Sequence, residues 1–200
     1  MAAEVHKNRR LQRETRRLHL VALRSTDIDP LHRLFTDPLV RRYLWDDESI
    51  ARATVVQIVM RSQGSFADFG YGFYGLYLRA EPSRLIGFCG FRPFDEAFNS
   101  ERNREHNVRQ GAATMHDLEL LYGLLPAHWG MGLITEAARS ALSYAFAETK
   151  VPRIVAATDA PNQRSVAVLE RLGMRFDERR ELHGLDTLFY SLQNPAALSR

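Results

Sequence analysis

The segment from Leu120 to Ala137 constrains the fold more than any other part of the chain. It predicts a strand, a tight turn and the start of a helix in direct succession. Gly130 and Gly132 stand in the turn, where the missing Cβ atom permits positive φ angles and close approach to the backbone. The first N–H groups of a helix lack internal partners and carry partial positive charge. The segment therefore predicts a backbone cradle for an anion such as phosphate, although a purely structural turn could carry the same two glycines.

The residues after the turn predict a helix, a strand and a second helix. One face of the first helix is apolar with a period of 3.6 residues. Its members are Ile134, Ala137, Ala138, Ala141, Leu142, Ala145 and Phe146. Residues 153–158 predict a short buried strand, and the second helix runs to about Leu172, with Gly173 at the position of a left-handed C-terminal cap. Other nucleotide signatures fit poorly, because a dinucleotide fingerprint needs a third glycine where Thr135 stands, and no P-loop motif is present.

Together these stretches resemble the GNAT superfamily of acyl-CoA-dependent N-acyltransferases, most closely its RimJ/RimL-like branch of ribosomal-protein N-terminal acetyltransferases. The motifs that carry the resemblance are Trp129-Gly130-x-Gly132, Thr135-Glu136-Ala137 and Asn162-x-x-Ser165-x-x-x-Leu169-x-x-Leu172-Gly173-Met174. Residues 13–20 also resemble the first strand of that branch. The resemblance implies an α/β (α+β) fold, with a mixed, mostly antiparallel sheet of six to seven strands and about four flanking helices. Acyl-CoA would lie where the fourth strand (about 117–125) splays from the fifth (153–158).

The same resemblance implies which residues bind the acyl donor. The pyrophosphate would lie on N–H groups of six consecutive residues: His128, Trp129, Gly130, Met131, Gly132 and Leu133. Backbone groups of Tyr122, Gly123 and Leu124 would hold the pantetheine and polarise the thioester carbonyl. Asn162 matches the family asparagine that contacts the pantetheine arm. Arg164 would reach toward the phosphates, or it is an ordinary exposed helix residue.

Two residues are candidates for the chemistry. Glu119 lies on the predicted fourth strand, where family members often carry a carboxylate that accepts the amine proton through water. The alternative for Glu119 is a paired surface carboxylate. Many members place a tyrosine seven residues after the helix asparagine, to protonate the leaving thiolate, and here that position is Leu169. Ser165 would replace the tyrosine as a donor to the sulfur, or it would serve only as a first-turn cap partner.

Acceptor recognition is expected in the region after the first helix. Tyr43 and Trp45 would be substrate-binding pocket walls or core residues. Asp46, Asp47 and Glu48 would attract a cationic amine, or the two aspartates would cap the helix predicted at about 49–61.

The reaction implied is acetyl transfer from acetyl-CoA to a primary amine, by direct attack in a ternary complex. The expected acceptor is a protein N-terminal α-amine, and the alternative is a small amine-bearing metabolite or antibiotic. A third interpretation, a non-catalytic acyl-CoA-binding module, stays open because Leu169 replaces the usual tyrosine.

Composition favours one domain at residues 14–195, preceded by a basic arm at 1–13 and interrupted by a polar insertion at about 95–116. The insertion would be a substrate lid or a surface loop. The arm could contact RNA, but a solvated terminus is favoured, so no nucleic-acid partner is expected. Without long apolar runs, a cytoplasmic monomer or homodimer with no membrane contact is expected. The histidines and Cys89 show no metal-ligand spacing, so no metal is expected, and Cys89 is predicted to be buried in a strand.

Overall fold

The computed structural model describes residues 11–94 and 117–195. Within these ranges the chain forms eight strands and five α-helices. The strands are β1 (Gln12–Glu14), β2 (Leu18–Ala22), β3 (Phe73–Leu78), β4 (Glu81–Pro93), β5 (Leu118–Leu124), β6 (Arg153–Asp159), β7 (Arg175–Leu182) and β8 (Leu185–Gln193). The helices are α1 (Ile28–Thr36), α2 (Pro38–Leu44), α3 (Arg52–Asp68), α4 (Leu133–Glu148) and α5 (Gln163–Arg171).

Contacts divide the chain into two units. The first contains the residues up to 92 together with 121–149, and the second contains 93–120 and the residues from 150 onward. Hydrogen-bonded neighbours follow the order β1-β2-β3-β4-β5 in the first unit and β5-β6-β8-β7 in the second. Strand β5 thus supplies its second half to the first unit and its beginning to the second.

The first unit builds its core from helices laid against antiparallel strands. Strands β1 to β4 pair antiparallel in sequence order. The sequence predicts that residues 72–78 and 84–91 pair as a hairpin around residues 80–83, and the pairing of β3 with β4 confirms it. One buried cluster joins side chains of α1 and α3 to those of β3 and β4, among them Leu31, Phe35, Val55, Val59 and Phe88. In α4, six of the seven residues predicted for the apolar face are buried, and Phe146 is half-buried. Cys89 is fully buried in β4, as predicted, and this burial raises its pKa to about 12.

The sheet has more strands than the six to seven expected, and the helices number five rather than about four in the described residues. The additional strand, β1, spans three polar residues, which is too short to show a period of two. The additional helix, α2, follows Asp37-Pro38. There the Asp37 carboxylate accepts hydrogen bonds from the amides of Leu39 (2.9 Å) and Val40 (3.4 Å). A proline in the first turn with an aspartate at the N-cap is a typical helix start.

The second unit combines one parallel and two antiparallel strand pairs. Strands β5 and β6 pair in parallel through Leu118–Ile154 and Glu119–Val155. Strand β8 pairs antiparallel with both β6 and β7, so it lies between them. Helix α5 ends as predicted: Gly173 has φ of 79° and the Met174 amide donates to the Leu169 carbonyl (3.1 Å).

In the described part of the chain, no helix combines the length and the apolar character that crossing a membrane requires. Residues 1–10 of the predicted arm and the predicted insertion at 95–116 lie outside the described residues.

Candidate functional site

The turn before α4 leaves a row of backbone amides without acceptors. Gly130 and Gly132 have φ of 75° and 70°, the left-handed region that glycine adopts without strain. Among residues 11–94 and 117–195, no group accepts a hydrogen bond from the amides of Gly130, Met131, Gly132 or Leu133. The N-cap is Gly132, which has no side chain to close the helix end, and the Glu136 amide is the first to bond back, to the Gly132 carbonyl (3.1 Å). These amides can bind an anion.

Two of the six amides predicted to bind the pyrophosphate, those of His128 and Trp129, already form hydrogen bonds within the chain. The His128 amide donates to the Leu125 carbonyl (2.9 Å) and the Trp129 amide to the Pro126 carbonyl (3.1 Å), because Pro126–His128 form a 3₁₀ turn. These two amides are therefore already used. The exposed positions run from Gly130 to Gly132, and the Met131 side chain is 57 % exposed.

The carbonyl groups of Gly123 and Leu124, in the second half of β5, are also less accessible than the sequence indicated. The Trp129 indole N–H donates to the Leu124 carbonyl (2.8 Å), and Leu124 itself is buried. A Cβ atom placed on Gly87 of β4 would lie only 2.3 Å from the Gly123 carbonyl oxygen. The Gly123 carbonyl oxygen therefore lies in close contact with β4 at Gly87. Of the three residues predicted to hold the pantetheine, Tyr122 and Gly123 are half-buried and Leu124 is buried.

A brace that the sequence did not indicate fastens the turn and the first turn of α4. The Arg17 side chain donates from Nε to Glu136 Oε2 (2.6 Å) and from one terminal nitrogen to the Met131 carbonyl (2.8 Å). The Arg17 amide (2.8 Å) and the Thr15 hydroxyl (2.6 Å) both donate to Glu136 Oε1. Residues 15–17 and Glu136 each belong to a motif quoted for the family resemblance, but nothing in the sequence indicates that they meet.

The ionisation of Glu136 reflects this environment. Burial alone would raise its pKa, yet the hydrogen bonds from Thr15 and Arg17 and the charge of Arg17 outweigh burial, so the pKa lies below its usual value. Glu136 therefore carries its negative charge near neutral pH, one turn into α4. Arg17 sets a positive charge directly against it.

Glu119 lies at the start of β5, paired in register with Val155 of β6. Its side chain is enclosed, with the residue only 3 % exposed, and its strand neighbours Leu118 and Leu120 are buried as well. The alternative interpretation of Glu119 as a surface carboxylate is therefore wrong. Glu119 is therefore a buried carboxylate.

Helix α5 begins with a side-chain cap. The Asn162 side-chain oxygen accepts a hydrogen bond from the Ser165 amide (3.3 Å), so these two predicted site residues meet in one N-cap. Ser165 is half-buried and Arg164 is exposed in the first turn. Leu169, at the position of the family tyrosine, is 1 % exposed and belongs to the protein interior. Asn162 thus has a structural role whatever else it contacts.

The predicted acceptor region is packed more tightly than the sequence indicated. The Trp45 ring lies edge-on to Phe35 (5.5 Å between centroids) and joins the core cluster of the first unit. Its indole N–H is buried, and no acceptor for it occurs in the residues that the structure describes. Tyr43 is half-buried, with the Arg42 guanidinium 5.3 Å from its ring centroid.

The two aspartates after Trp45 do not cap the next helix. The N-cap of α3 is Ala51, without a side-chain cap bond. Asp46 and Asp47 instead adopt positive φ angles (52° and 62°), and Asp47 closes the end of α2. Its amide donates to the Arg41 carbonyl (3.2 Å) and its carboxylate accepts from Arg41 Nε (3.0 Å).

Comparison with known proteins defines the class. Residues 17–175 match the acetyltransferase (GNAT) domain family, which places most of the chain within the family. A curated relative, an uncharacterised N-acetyltransferase called p20 from Bacillus licheniformis, is 28 % identical over 166 residues, covering 80 % of each chain. The chain belongs to the GNAT acetyltransferase family, and it is an acyltransferase.

Solved structures show the same fold. A GNAT-family acetyltransferase from Bacillus anthracis superimposes with a TM-score of 0.70 at 21 % identity, covering 92 % of this chain and 98 % of that one. RimL, a ribosomal L7/L12 α-N-protein acetyltransferase in complex with coenzyme A, superimposes with a TM-score of 0.68 at 16 % identity, covering 91 % and 97 %. A ribosomal-protein-S5-alanine acetyltransferase from Vibrio fischeri gives 0.66 at 15 % identity, covering 92 % and 97 %. The α/β GNAT fold is therefore confirmed.

Proposed function

We propose that this chain transfers the acetyl group of acetyl-CoA to a protein N-terminal α-amine. The observation that carries the donor half of this proposal is the uncapped start of α4. There, four consecutive amides (130–133) have no acceptor in the described chain, and two glycines hold positive φ angles. Such a turn suits a pyrophosphate, because backbone N–H groups converge on an anion and the helix dipole favours negative charge.

The chain's own residues would divide the remaining tasks. Acetyl-CoA supplies an acetyl thioester. The backbone groups of Tyr122, Gly123 and Leu124 would hold the pantetheine and polarise the thioester carbonyl, and Asn162 would contact the pantetheine arm. Arg164, which is exposed, would contribute only through its charge.

Glu119 and Ser165 are proposed for the proton transfers. The amine nitrogen forms a bond to the acetyl carbon, and the bond from that carbon to sulfur breaks. Glu119 accepts the proton that the amine loses, directly or through water. The thiolate receives a hydrogen bond from the Ser165 hydroxyl, because Leu169 offers none. Tyr43 and Trp45 are proposed to border the acceptor.

Base strength favours an α-amine. An α-amino group with a pKa of about 7.7 to 8.0 needs roughly 1 kcal/mol to lose its proton at pH 7. A lysine amine with a pKa of about 10.4 needs about 5 kcal/mol by the same arithmetic. A single glutamate therefore suits an N-terminal amine, or a weakly basic small amine, better than a lysine side chain. RimL, whose fold this chain shares, is an α-N-protein acetyltransferase, which supports the same choice.

The test compares Glu119→Gln with a matched variant, Glu81→Gln, which removes the charge of an exposed carboxylate on β4. We expect Glu119→Gln to lower kcat by about 10²- to 10⁴-fold, the usual contribution of a general base, while the Kd for acetyl-CoA stays unchanged. Glu81→Gln should change neither quantity. Thiol release from acetyl-CoA measures turnover, and calorimetry measures Kd.

The acceptor is tested with three amines: a peptide with a free N-terminus, the same peptide N-terminally blocked but containing lysine, and a small polyamine. The proposal predicts thiol release with the first peptide alone. Turnover with the polyamine alone would favour the small-molecule acceptor. Binding of acetyl-CoA without turnover on any amine would favour the non-catalytic module.

A further inference from the structure

The turn that precedes α4 contains no cationic residue between Leu124 and Leu133 except the weakly basic His128. The nearest permanent positive charge comes instead from a distant segment. Arg17 follows β1 and precedes β2, and its guanidinium contacts both the turn and the first turn of α4. Arg17, the turn and the start of α4 all lie in the first unit of the chain.

Arg17 acts on the turn through a carbonyl. One guanidinium nitrogen holds the Met131 carbonyl oxygen at 2.8 Å, in a hydrogen bond strengthened by the positive charge. The peptide bond from Met131 to Gly132 is trans, so its carbonyl and its N–H point in opposite directions. Holding the carbonyl toward Arg17 therefore aims the Gly132 N–H away from Arg17, on the opposite side of the turn. The same bond polarises the peptide unit and makes that N–H a stronger donor.

Arg17 also neutralises an unfavourable charge. The Glu136 carboxylate lies one turn into α4, where it would repel an anion bound at the helix start. The Arg17 Nε–H donates to this carboxylate at 2.6 Å, and Thr15 and the Arg17 amide occupy its other oxygen. Glu136 in turn fixes the guanidinium in the orientation that reaches Met131.

We infer that Arg17 is a positioning residue for the phosphates of the acyl donor: it orients the Gly132 amide and cancels the charge of Glu136, without needing to touch the ligand. This inference rests on the proposed function, because it assigns the anion to acetyl-CoA. The neighbouring Arg16 supplies a matched control, since it has the same charge, is exposed, and forms no hydrogen bond or ion pair with the described residues.

The test measures Kd for two probes in the full-length protein: acetyl-CoA, and S-acetylpantetheine, which lacks the pyrophosphate and the nucleotide. Arg17→Ala should raise the Kd for acetyl-CoA about tenfold more than Arg16→Ala does, the effect of losing one charge-assisted contact. The Kd for S-acetylpantetheine should not change. A merely structural role of Arg17 would instead weaken both probes by the same factor, and that result would overturn the inference.

Arg17→Lys guards against a variant that fails to fold. Its ammonium can still pair with Glu136, but a compact point charge cannot span Glu136 and Met131 as the planar fork does. We expect wild-type melting behaviour with weakened acetyl-CoA binding, and wild-type affinity in this variant would overturn the positioning through Met131. Wild-type protein that does not bind acetyl-CoA would refute the proposed function and the inference with it. Tight wild-type binding that is unchanged in Arg17→Ala and Arg17→Lys would refute the inference alone.

Discussion

The N-cap residue of helix α4 is Gly132, which has no side chain to form a cap. The N-cap residue of helix α5 is Asn162, whose side chain accepts a hydrogen bond from the Ser165 amide. The two helices face the same physical problem, because each has N–H groups that its own backbone cannot satisfy. At α5 one of these N–H groups is satisfied locally, because the Asn162 side chain accepts from the amide three residues later in the sequence. At α4 the sequence leaves the amides open and places at the N-cap a left-handed glycine, which has no side chain to accept a hydrogen bond from them.

The difference separates a helix start built for stability from one suited to a ligand. The chain fastens α4 by other means, through the ion pair of Arg17 with Glu136 and the contact of Arg13 with Ser140 (3.0 Å) and the Tyr144 ring (4.9 Å). Alternate residues of the segment 13–17 thereby meet α4 residues spaced four apart. These contacts hold the helix while leaving its N-terminal amides available.

The largest effect is expected when the two left-handed glycines are compared. Gly132→Ala and Gly173→Ala both force a residue with a Cβ atom to φ above 69°, so each should lose about 1 to 2 kcal/mol of unfolding free energy. Neither Cβ would clash, since the nearest atom to Gly132 is 3.7 Å away and nothing lies within 4 Å at Gly173. Only Gly132→Ala should also weaken acetyl-CoA binding, about tenfold, because the turn amides change direction. Urea unfolding and calorimetry check both, and equal affinity losses would contradict the comparison.

The cap of α5 should be worth less. Asn162→Ala removes the acceptor for the Ser165 amide and should cost about 1 kcal/mol of unfolding free energy. Asn162→Asp keeps an acceptor oxygen and should restore nearly all of that stability. If Asn162 also contacts the pantetheine, as proposed, Asn162→Asp should still weaken acetyl-CoA binding. An unchanged melting temperature in Asn162→Ala would show that the cap contributes nothing.

The smallest effect concerns Glu136 and depends on pH. Its pKa is depressed in the folded protein, so its contribution to stability is present above the unfolded pKa of about 4.3 and is lost as pH falls through the folded value. The stability difference between wild type and Glu136→Gln should thus be below about 1 kcal/mol at pH 7 and shrink toward pH 3. Asp29→Asn is the control, because Asp29 also has a pKa lowered by its partner Arg52 but both are exposed. A pH-independent difference for Glu136→Gln would exclude the charge as the cause.

Local patterns in the sequence predicted the elements well. The apolar face of α4, the left-handed cap at Gly173 and the β3–β4 hairpin are each encoded within a few residues, so period and turn chemistry suffice. Gly130 and Gly132 likewise indicate the turn by residue type alone. Burial of Glu119 could not be read in the same way, because alternation along β5 indicates opposite faces but not whether both are covered.

Interactions between distant residues were not predictable. The pairing of Arg17 with Glu136 joins residues 119 positions apart, and no periodicity connects them. The use of the Leu124 carbonyl by Trp129 depends on how the 3₁₀ turn folds back. Asp46 and Asp47 resemble a cap by residue type, yet their positive φ angles make them the end of α2. Each of these depends on tertiary geometry that residue type alone does not fix.

The position of β8 has a consequence for how the protein is made. Strand β8, the last strand among the described residues, lies between β6 and β7, so neither of those strands has its antiparallel partner until residues up to 193 have left the ribosome. During synthesis, the edges of β6 and β7 that pair with β8 stay unpaired until β8 has emerged. Unpaired strand edges are surfaces that associate with other chains. A nascent chain stopped at residue 175, where the family match ends, would contain every motif of the acyl-CoA site and still lack β7 and β8, the two strands that complete its second unit.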